Sequence, residues 1–232
     1  SSLKATHPPA EEAIYAILHS KDLPTLPALA SKLLELTACE ETTLAEIAHV
    51  ITQDIALSTK ILRVANSAFF VFPQKITSIN QAVSVLGTSA VRSLVLSFSF
   101  LSIGKQQRHT LFNLEQFWER SLIQATAAKL ISEQVPNMDA EEAFTIGLLQ
   151  NIGKLVLAIT MPHAYDKVLE HLQKQPVPPE NNSSHDITAT ERELELRYIG
   201  ATHTEVGYHV AKIWQLPENL LLPIRYHHCP DD

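Results

Sequence analysis

Apolar residues recur at helical spacing along almost the whole chain, and polar residues fall where helices should start and stop. Ala10 to Ser20 forms a first expected helix, opened by Pro8-Pro9. Leu23-Pro24-Thr25-Leu26-Pro27 reads as a rigid connector, because proline fixes φ and suits the first turn of a following helix. That helix places Leu26, Leu29, Leu33 and Leu36 on roughly one face. In the next, Leu44, Ile47, Ala48 and Ile51 stand at i, i+3, i+4, i+7, the stripe of an amphipathic helix. Asp54 occupies an N-cap position, where its carboxylate can accept from free backbone N–H groups. The helix it opens carries Leu57, Ile61, Val64 and Ala65 and ends near Asn66-Ser67. Asparagine tolerates the left-handed conformation common at such ends.

After Pro73 a short helix, Ile79 to Leu86, is stopped by Gly87, and Thr88 can cap the next segment. There Leu94, Leu96, Phe98 and Phe100 alternate as in a strand, while Val91, Leu94, Val95, Phe98 and Leu101 fit a helix. Helix is favoured, since no partner strand is seen elsewhere. A long helix is expected from about Asn113 to Val135, ended by Pro136, and Asp139 caps another that carries Gln150-Asn151. Pro162 marks a junction, and Gln175 to Asp186, rich in Pro, Asn and Ser, reads as a mobile loop. Val206, Val210, Ile213 and Trp214 stripe a helix from Thr202, and Leu216-Pro217 starts a last one to His227-His228. The pattern predicts an all-α fold of roughly ten helices.

Composition narrows the class. The 232 residues are 45% hydrophobic with a net charge of −7, enough for a sizeable core and adverse to a broad nucleic-acid-binding face. Cys39 and Cys229 form no C-x-x-C pattern and read as reduced thiols of a cytoplasmic protein. The N-terminus has no signal-peptide pattern, and the run Leu94 to Ile103 is too short to span a bilayer, so no membrane insertion is expected. Because the chain does not begin with Met, it is expected to be a piece of a longer signalling protein.

The chemistry concentrates in Gly147-Leu148-Leu149-Gln150-Asn151-Ile152-Gly153-Lys154. An adjacent His-Asp pair in this frame would ligate a divalent metal. Gln150 and Asn151 offer only neutral amide oxygens, poor ligands for metals that generate hydroxide at neutral pH. Around this segment stand Ile51-x-x-Asp54-x-x-Leu57-x-x-Lys60-Ile61-Leu62-Arg63-x-Ala65-Asn66-Ser67 and Ile79-x-x-Ala82-x-x-x-Leu86-Gly87. Downstream come Phe117-Trp118-x-x-Ser121, His203-x-Glu205-Val206-Gly207, Trp214-x-Leu216-Pro217 and His227-His228-x-Pro230. In this order, from about Leu23 to Pro230, the blocks resemble the HDOD family, output-domain relatives of the HD metal-dependent phosphohydrolases.

The resemblance implies one domain over 1–232 in two packed lobes, an HDOD-specific lobe over 1–110 and a degenerate HD-like lobe over 111–232. It also implies where the HD metal ligands would fall: the first histidine at Arg120, the His-Asp pair at Gln150 and Asn151, and later histidines at His203 and at His227 or His228. Arg120 is permanently cationic and repels a divalent ion. A vestigial pocket of these six residues, without metal or cofactor, is therefore expected, and the chain is expected to be no enzyme. The expected role is regulatory: a protein partner, or relay from an attached domain. The alternative is a phosphohydrolase acting on nucleotides or cyclic dinucleotides. A metal-free nucleotide sensor using Arg120 and Lys154 is a third reading. Asp54, Lys60, Arg63 and Asn66 offer a docking face, against the simpler readings of cap, solvated charges and helix end. His203 is either a helix-start hydrogen-bonding residue or a member of the pocket.

Overall fold

Thirteen α-helices, and no strand, form among the described residues of a computed structural model, which cover 10–37, 41–66, 74–100, 102–103, 110–174 and 184–229. Ser67, Cys39, Pro230 and most of the expected loop, 175–183, lie outside them. Contacts within the chain define two compact units: Thr25–Ile103 with Leu122–Leu148, and the remainder. The expected division at residue 110 is contiguous in sequence, whereas these units are not. The Leu122–Leu148 stretch joins the first unit through hydrogen bonds such as those of Ser93, described below.

The first unit holds α2 (Ala28–Thr37), α3 (Leu44–Thr52), α4 (Ile55–Ala65), α5 (Ile79–Leu86) and α6 (Thr88–Phe100). Its main core is apolar: Leu33, Ile47, Ile51, Leu57, Ile61, Ile79, Val83, Val91 and Val95 are all buried. Most of these are striped positions of the sequence, although Leu44 on the α3 stripe is exposed. Polar residues serve the helix ends. Thr43 and Glu46 form a capping box at α3, Ser78 and Gln81 form one at α5, and Asp54 Oδ1 accepts from Leu57 N at 2.9 Å. Gly87, at φ 83°, ends α5 in a conformation that β-carbon-bearing residues avoid. Thr88 is the first residue of α6 rather than its cap. The ambiguous segment is helical, as the lack of a partner strand favoured.

Asn66 departs from expectation. It lies at φ −96°, ψ 9°, not in the left-handed region. Its amide closes α4 instead: Nδ2 donates to Leu62 O and Ile76 O, and Oδ1 accepts from Ile76 N, each at 2.8 Å. The same unit takes in part of α7 (Leu114–Ser132) and most of α8 (Ala140–Leu149). Ser93 Oγ donates to Glu141 O at 3.1 Å and lies 2.9 Å from Thr145 Oγ1, fastening α8 to α6.

The second unit contains α1 (Ala10–Leu18), the start of α7, α9 (Ile152–Thr160), α10 (Pro162–Lys174), α11 (Ser184–Tyr198), α12 (His203–Ile213) and α13 (Glu218–Tyr226). Helix α9 is buried from Ile152 to Ile159 except at Lys154, and α12 packs on α9, α13 and α1. Trp214 Nε1 donates to Pro24 O at 3.1 Å, joining the N-terminal connector to the end of α12. The stretch Ala140–Thr160 is apolar and long enough to cross a membrane, but 67% of it is buried in the fold, which accounts for its hydropathy. Two expectations fail in this half. The helix expected to carry Gln150-Asn151 is broken there, with α8 ending at Leu149 and Asn151 standing as N-cap of α9. Ser184–Asp186, expected in the loop, belong to α11.

Candidate functional site: a buried imidazole–carboxylate cluster

Two glycines set the frame. A β-carbon at Gly153 would lie 1.8 Å from His203 O, and one at Gly207 would lie 3.2 Å from Gly153 N. Helices α9 and α12 therefore approach closely enough that only hydrogen fits between their backbones. That crossing fixes the first residue of α12, His203, against α9. A third glycine returns the chain from α11: Gly200, at φ 90°, donates to Glu195 O and Leu196 O at 3.1 Å each. Thr202 then caps α12 in a capping box with Glu205.

The turn brings His203 back over Glu195. The backbone N–H of His203 donates to Glu195 Oε2 at 2.9 Å, and Nδ1 lies 2.8 Å from both carboxyl oxygens. Both side chains are fully buried. His203 Nε2 lies 3.0 Å from His228 Nε2, so one hydrogen joins the two rings. His227 lies tilted beside His228, with ring centroids 4.0 Å apart, and its Nδ1 donates to Ile224 O at 3.0 Å. Its Nε2 is buried without a hydrogen bond among the described residues. Lys154 Nζ pairs with Glu191 Oε2 at 2.8 Å, and Arg192 Nη1 donates to Cys229 Sγ at 3.0 Å.

Burial drives this cluster toward neutral forms. It pushes the Glu195 carboxyl up to about 8, against the His203 N–H and the charges of Lys154 and Arg192. It lowers His203 to about 3, with Lys154 adding to the effect. His227 falls to about 4, by burial and then by His203, and His228 to about 3, by burial and then by its two histidine neighbours. All three rings are thus neutral at pH 7.

Of the six expected pocket residues, His203, His227 and His228 come together. Gln150 and Asn151 sit half-buried at the break between α8 and α9. Arg120 does not join them: it is exposed and forms no hydrogen bond or ion pair among the described residues. On α7 the buried positions are Phe117, Trp118, Ser121, Ala125 and Ser132, and position 120 falls off that stripe. The expected plug of amides around a guanidinium is therefore corrected to an imidazole–carboxylate cluster. Glu191, Arg192 and Glu195 were missed. Their signal was two carboxylates at i and i+4, on the face shared with Leu194, in a segment given no element.

The metal centre implied by the HD resemblance can be tested against these donors. Ligand nitrogens of His203, His227 and His228 lie within 4.8 Å of one another, as do donor atoms of Glu191, Glu195 and His203. Yet Glu195 is engaged by His203 and Glu191 by the Lys154 ammonium, while positions 150 and 151 supply amides. Three imidazoles could receive one zinc-like ion. The residues do not fit the hydrolytic centre, which needs carboxylate ligands in addition.

Among the described residues, then, an all-helical fold carries this imidazole–carboxylate cluster. The profile of the HDOD domain matches residues 23–230, and the chain belongs to that family. An uncharacterized protein of Treponema pallidum (strain Nichols) is 28% identical over 214 residues, covering 89% of this chain and 38% of its own length. The chain thus spans well under half of that relative. An HDOD domain protein of unknown function from Geobacter sulfurreducens superposes with a TM-score of 0.77 at 24% identity, over 94% of this chain and 70% of its own. A protein of Shewanella amazonensis SB2B that carries a provisional phosphohydrolase name superposes with a TM-score of 0.71 at 24% identity, over 92% of this chain and 74% of its own. At these identities the two structures establish a shared fold.

Proposed function

We propose that the chain is a non-catalytic regulatory module of a bacterial signalling protein, acting through protein contacts or by relay from an attached domain. One observation carries this reading: the buried carboxyl groups of Glu191 and Glu195 are each engaged by another group of the protein. The Lys154 ammonium holds Glu191, the His203 ring and amide hold Glu195, and amides stand where the metal-binding pair would be. A hydrolase needs an open metal position and a water to activate. Fold membership alone decides neither reading.

Docking belongs, in this proposal, to helix α4. Asp54 and Asn66 are occupied at its two ends, which leaves the exposed Lys60 and Arg63 as the cations that can meet an acidic partner. Ile55, 83% exposed at the first helical position, adds an apolar contact beside them.

The three converging imidazoles favour the enzyme as second reading, and one experiment separates the two. The purified protein is analysed for transition metals and then supplied with manganese, iron or zinc and assayed on bis(p-nitrophenyl) phosphate and cyclic dinucleotides. The regulatory reading expects less than stoichiometric metal and no turnover. Chelator-sensitive hydrolysis by the unaltered protein would establish the enzyme instead.

A further inference from the structure

Beside the imidazole cluster, within the same unit, lies a cavity of about 230 Å³ whose wall carries two guanidiniums, Arg192 and Arg225. We propose that this cavity is a phosphate-binding site, taking the phosphoryl head of a small phosphomonoester between Arg192 and Arg225. The inference is independent of whether the chain hydrolyses anything, and it uses neither Arg120 nor Lys154.

The first argument is unspent hydrogen-bonding capacity. A guanidinium offers five N–H donors in a planar fork that matches phosphate oxygens. Arg192 spends one nitrogen on the Cys229 thiol, a weak acceptor, and its buried Nε has no hydrogen-bond partner among the described residues. Arg225 forms no ion pair or hydrogen bond among the described residues. It is held by ring faces, its guanidinium carbon 4.8 Å from the Tyr208 centroid and 5.5 Å from that of Tyr226. Stacking fixes the plane of the guanidinium without consuming its donors, which lowers the ordering cost of a ligand.

The second argument is charge. In a chain of net charge −7, this wall carries two permanent cations against one carboxylate, Glu205. That carboxylate is turned to the cap of α12, accepting from Thr202 N and Thr202 Oγ1 at 2.9 Å each. Thr202 and Thr204, at the start of α12, also line the cavity, so the positive end of that helix adds to the field. The volume lies below the roughly 300–1,000 Å³ usual for drug-sized ligands, which suits a phosphoryl group with a short organic tail and not a whole dinucleotide. His228 lines the same wall and bonds His203, so an occupant would touch the outer member of the buried cluster.

The test is calorimetric titration of the full chain with inorganic phosphate and with glycerol 3-phosphate, at constant ionic strength, first without and then with EDTA. Saturable binding at one site is expected, tighter for glycerol 3-phosphate if the tail is accommodated and equal for the two if the site reads phosphate alone. Arg225→Gln, at an exposed position, should weaken binding about tenfold or more with the thermal midpoint of the ligand-free protein kept. Arg192→Lys should weaken it while retaining charge, because the fork is lost. Lys75→Glu, at an exposed position of the other unit, should bind as the unaltered protein does. Absence of saturation at millimolar phosphate, equal binding by Arg225→Gln, or loss of binding on adding EDTA would each overturn the proposal, the last by assigning the anion to a metal.

Discussion

The two units bury polar groups in opposite ways. In the unit built from Thr25–Ile103 and Leu122–Leu148, the buried polar side chains include Ser93, Ser97 and Thr145, neutral hydroxyls that bond to backbone carbonyls or to each other. In the other, Glu191, Glu195 and His203 are buried. A hydroxyl with a partner costs little to bury, whereas an ionisable group costs several kcal/mol unless it is paired or made neutral. The first unit can therefore be explained by folding alone. The second buries ionisable groups that a helix bundle does not need for stability, which makes it the place to look for a site.

The sharpest break in this comparison is at the α9–α12 crossing. Gly153→Ala places a methyl 1.8 Å from a backbone oxygen that cannot rotate away. Destabilisation of about 3 kcal/mol or more is expected, at or beyond the upper end for overpacking, measured as a shift in the urea midpoint. Ile61→Ala, at a fully buried position of the other unit, should cost about 2–5 kcal/mol by the ordinary cavity route. If Gly153→Ala folds with unchanged stability, the close crossing that seats His203 is absent.

A second test uses pH, because only one unit has ionisable groups at its centre. His203, His227 and His228 are held below their ordinary 6.5. Below pH 6.5 the unfolded chain binds protons there that the folded chain refuses, so these groups make stability rise with pH up to about that value. Glu195 is held at about 8 against an ordinary 4.5. Between those values the folded chain keeps a proton that the unfolded chain releases, so this group removes stability as pH rises. Three imidazoles outweigh one carboxyl below pH 6.5, and above it their effect fades until the carboxyl dominates toward pH 8. Urea midpoints, taken with chelator present, should therefore peak near pH 6.5 and decline toward 8. Glu195→Gln keeps a donor for Nδ1 and an acceptor for the His203 amide, and it should flatten that decline. A wild-type midpoint that climbs steadily from pH 6.5 to 8 would mean Glu195 is an ordinary carboxylate.

The contrast also explains what was legible in the sequence. Helical stripes gave α3 and α4 directly, because Ile47, Ala48 and Ile51, or Leu57, Ile61 and Ala65, are read by period alone; the Leu122–Leu148 part of that unit was placed in the other lobe. Caps such as Asp54 were legible for the same local reason. Asn66 was legible as a helix end but not as a bracket, since its partner Ile76 lies ten residues away. The site was harder. His203, His227 and His228 could be grouped only through family resemblance, and the same resemblance drew in Arg120, which the register of α7 leaves at the surface. Glu195 reaches His203 only because Gly200 reverses the chain, a tertiary consequence that no helical period encodes. The helix break at Gln150-Asn151 was hidden because apolar runs continue on both sides of it.

The smallest effect on stability should come from the cations of α4, where the proposed role is contact with another molecule. Lys60 Nζ lies 5.5 Å from the Phe98 ring centroid, so reversing its charge forfeits a cation–π contact worth about 0.5–1 kcal/mol at an exposed site. Arg63 is exposed, and its replacement by Glu should alter stability by less than about 0.5 kcal/mol. Lys60→Glu with Arg63→Glu should thus move the thermal midpoint only slightly. Binding to an acidic partner should respond quite differently, falling about tenfold or more at low salt, with the difference shrinking as salt screens both proteins. The measurement is association of the paired variant and the unaltered chain with one identified partner at two salt concentrations. Equal association would make these two side chains solvated charges and nothing more. The search for regulatory contacts would then pass to the unit that buries its ionisable groups, at the wall formed by Arg192, Arg225 and His228.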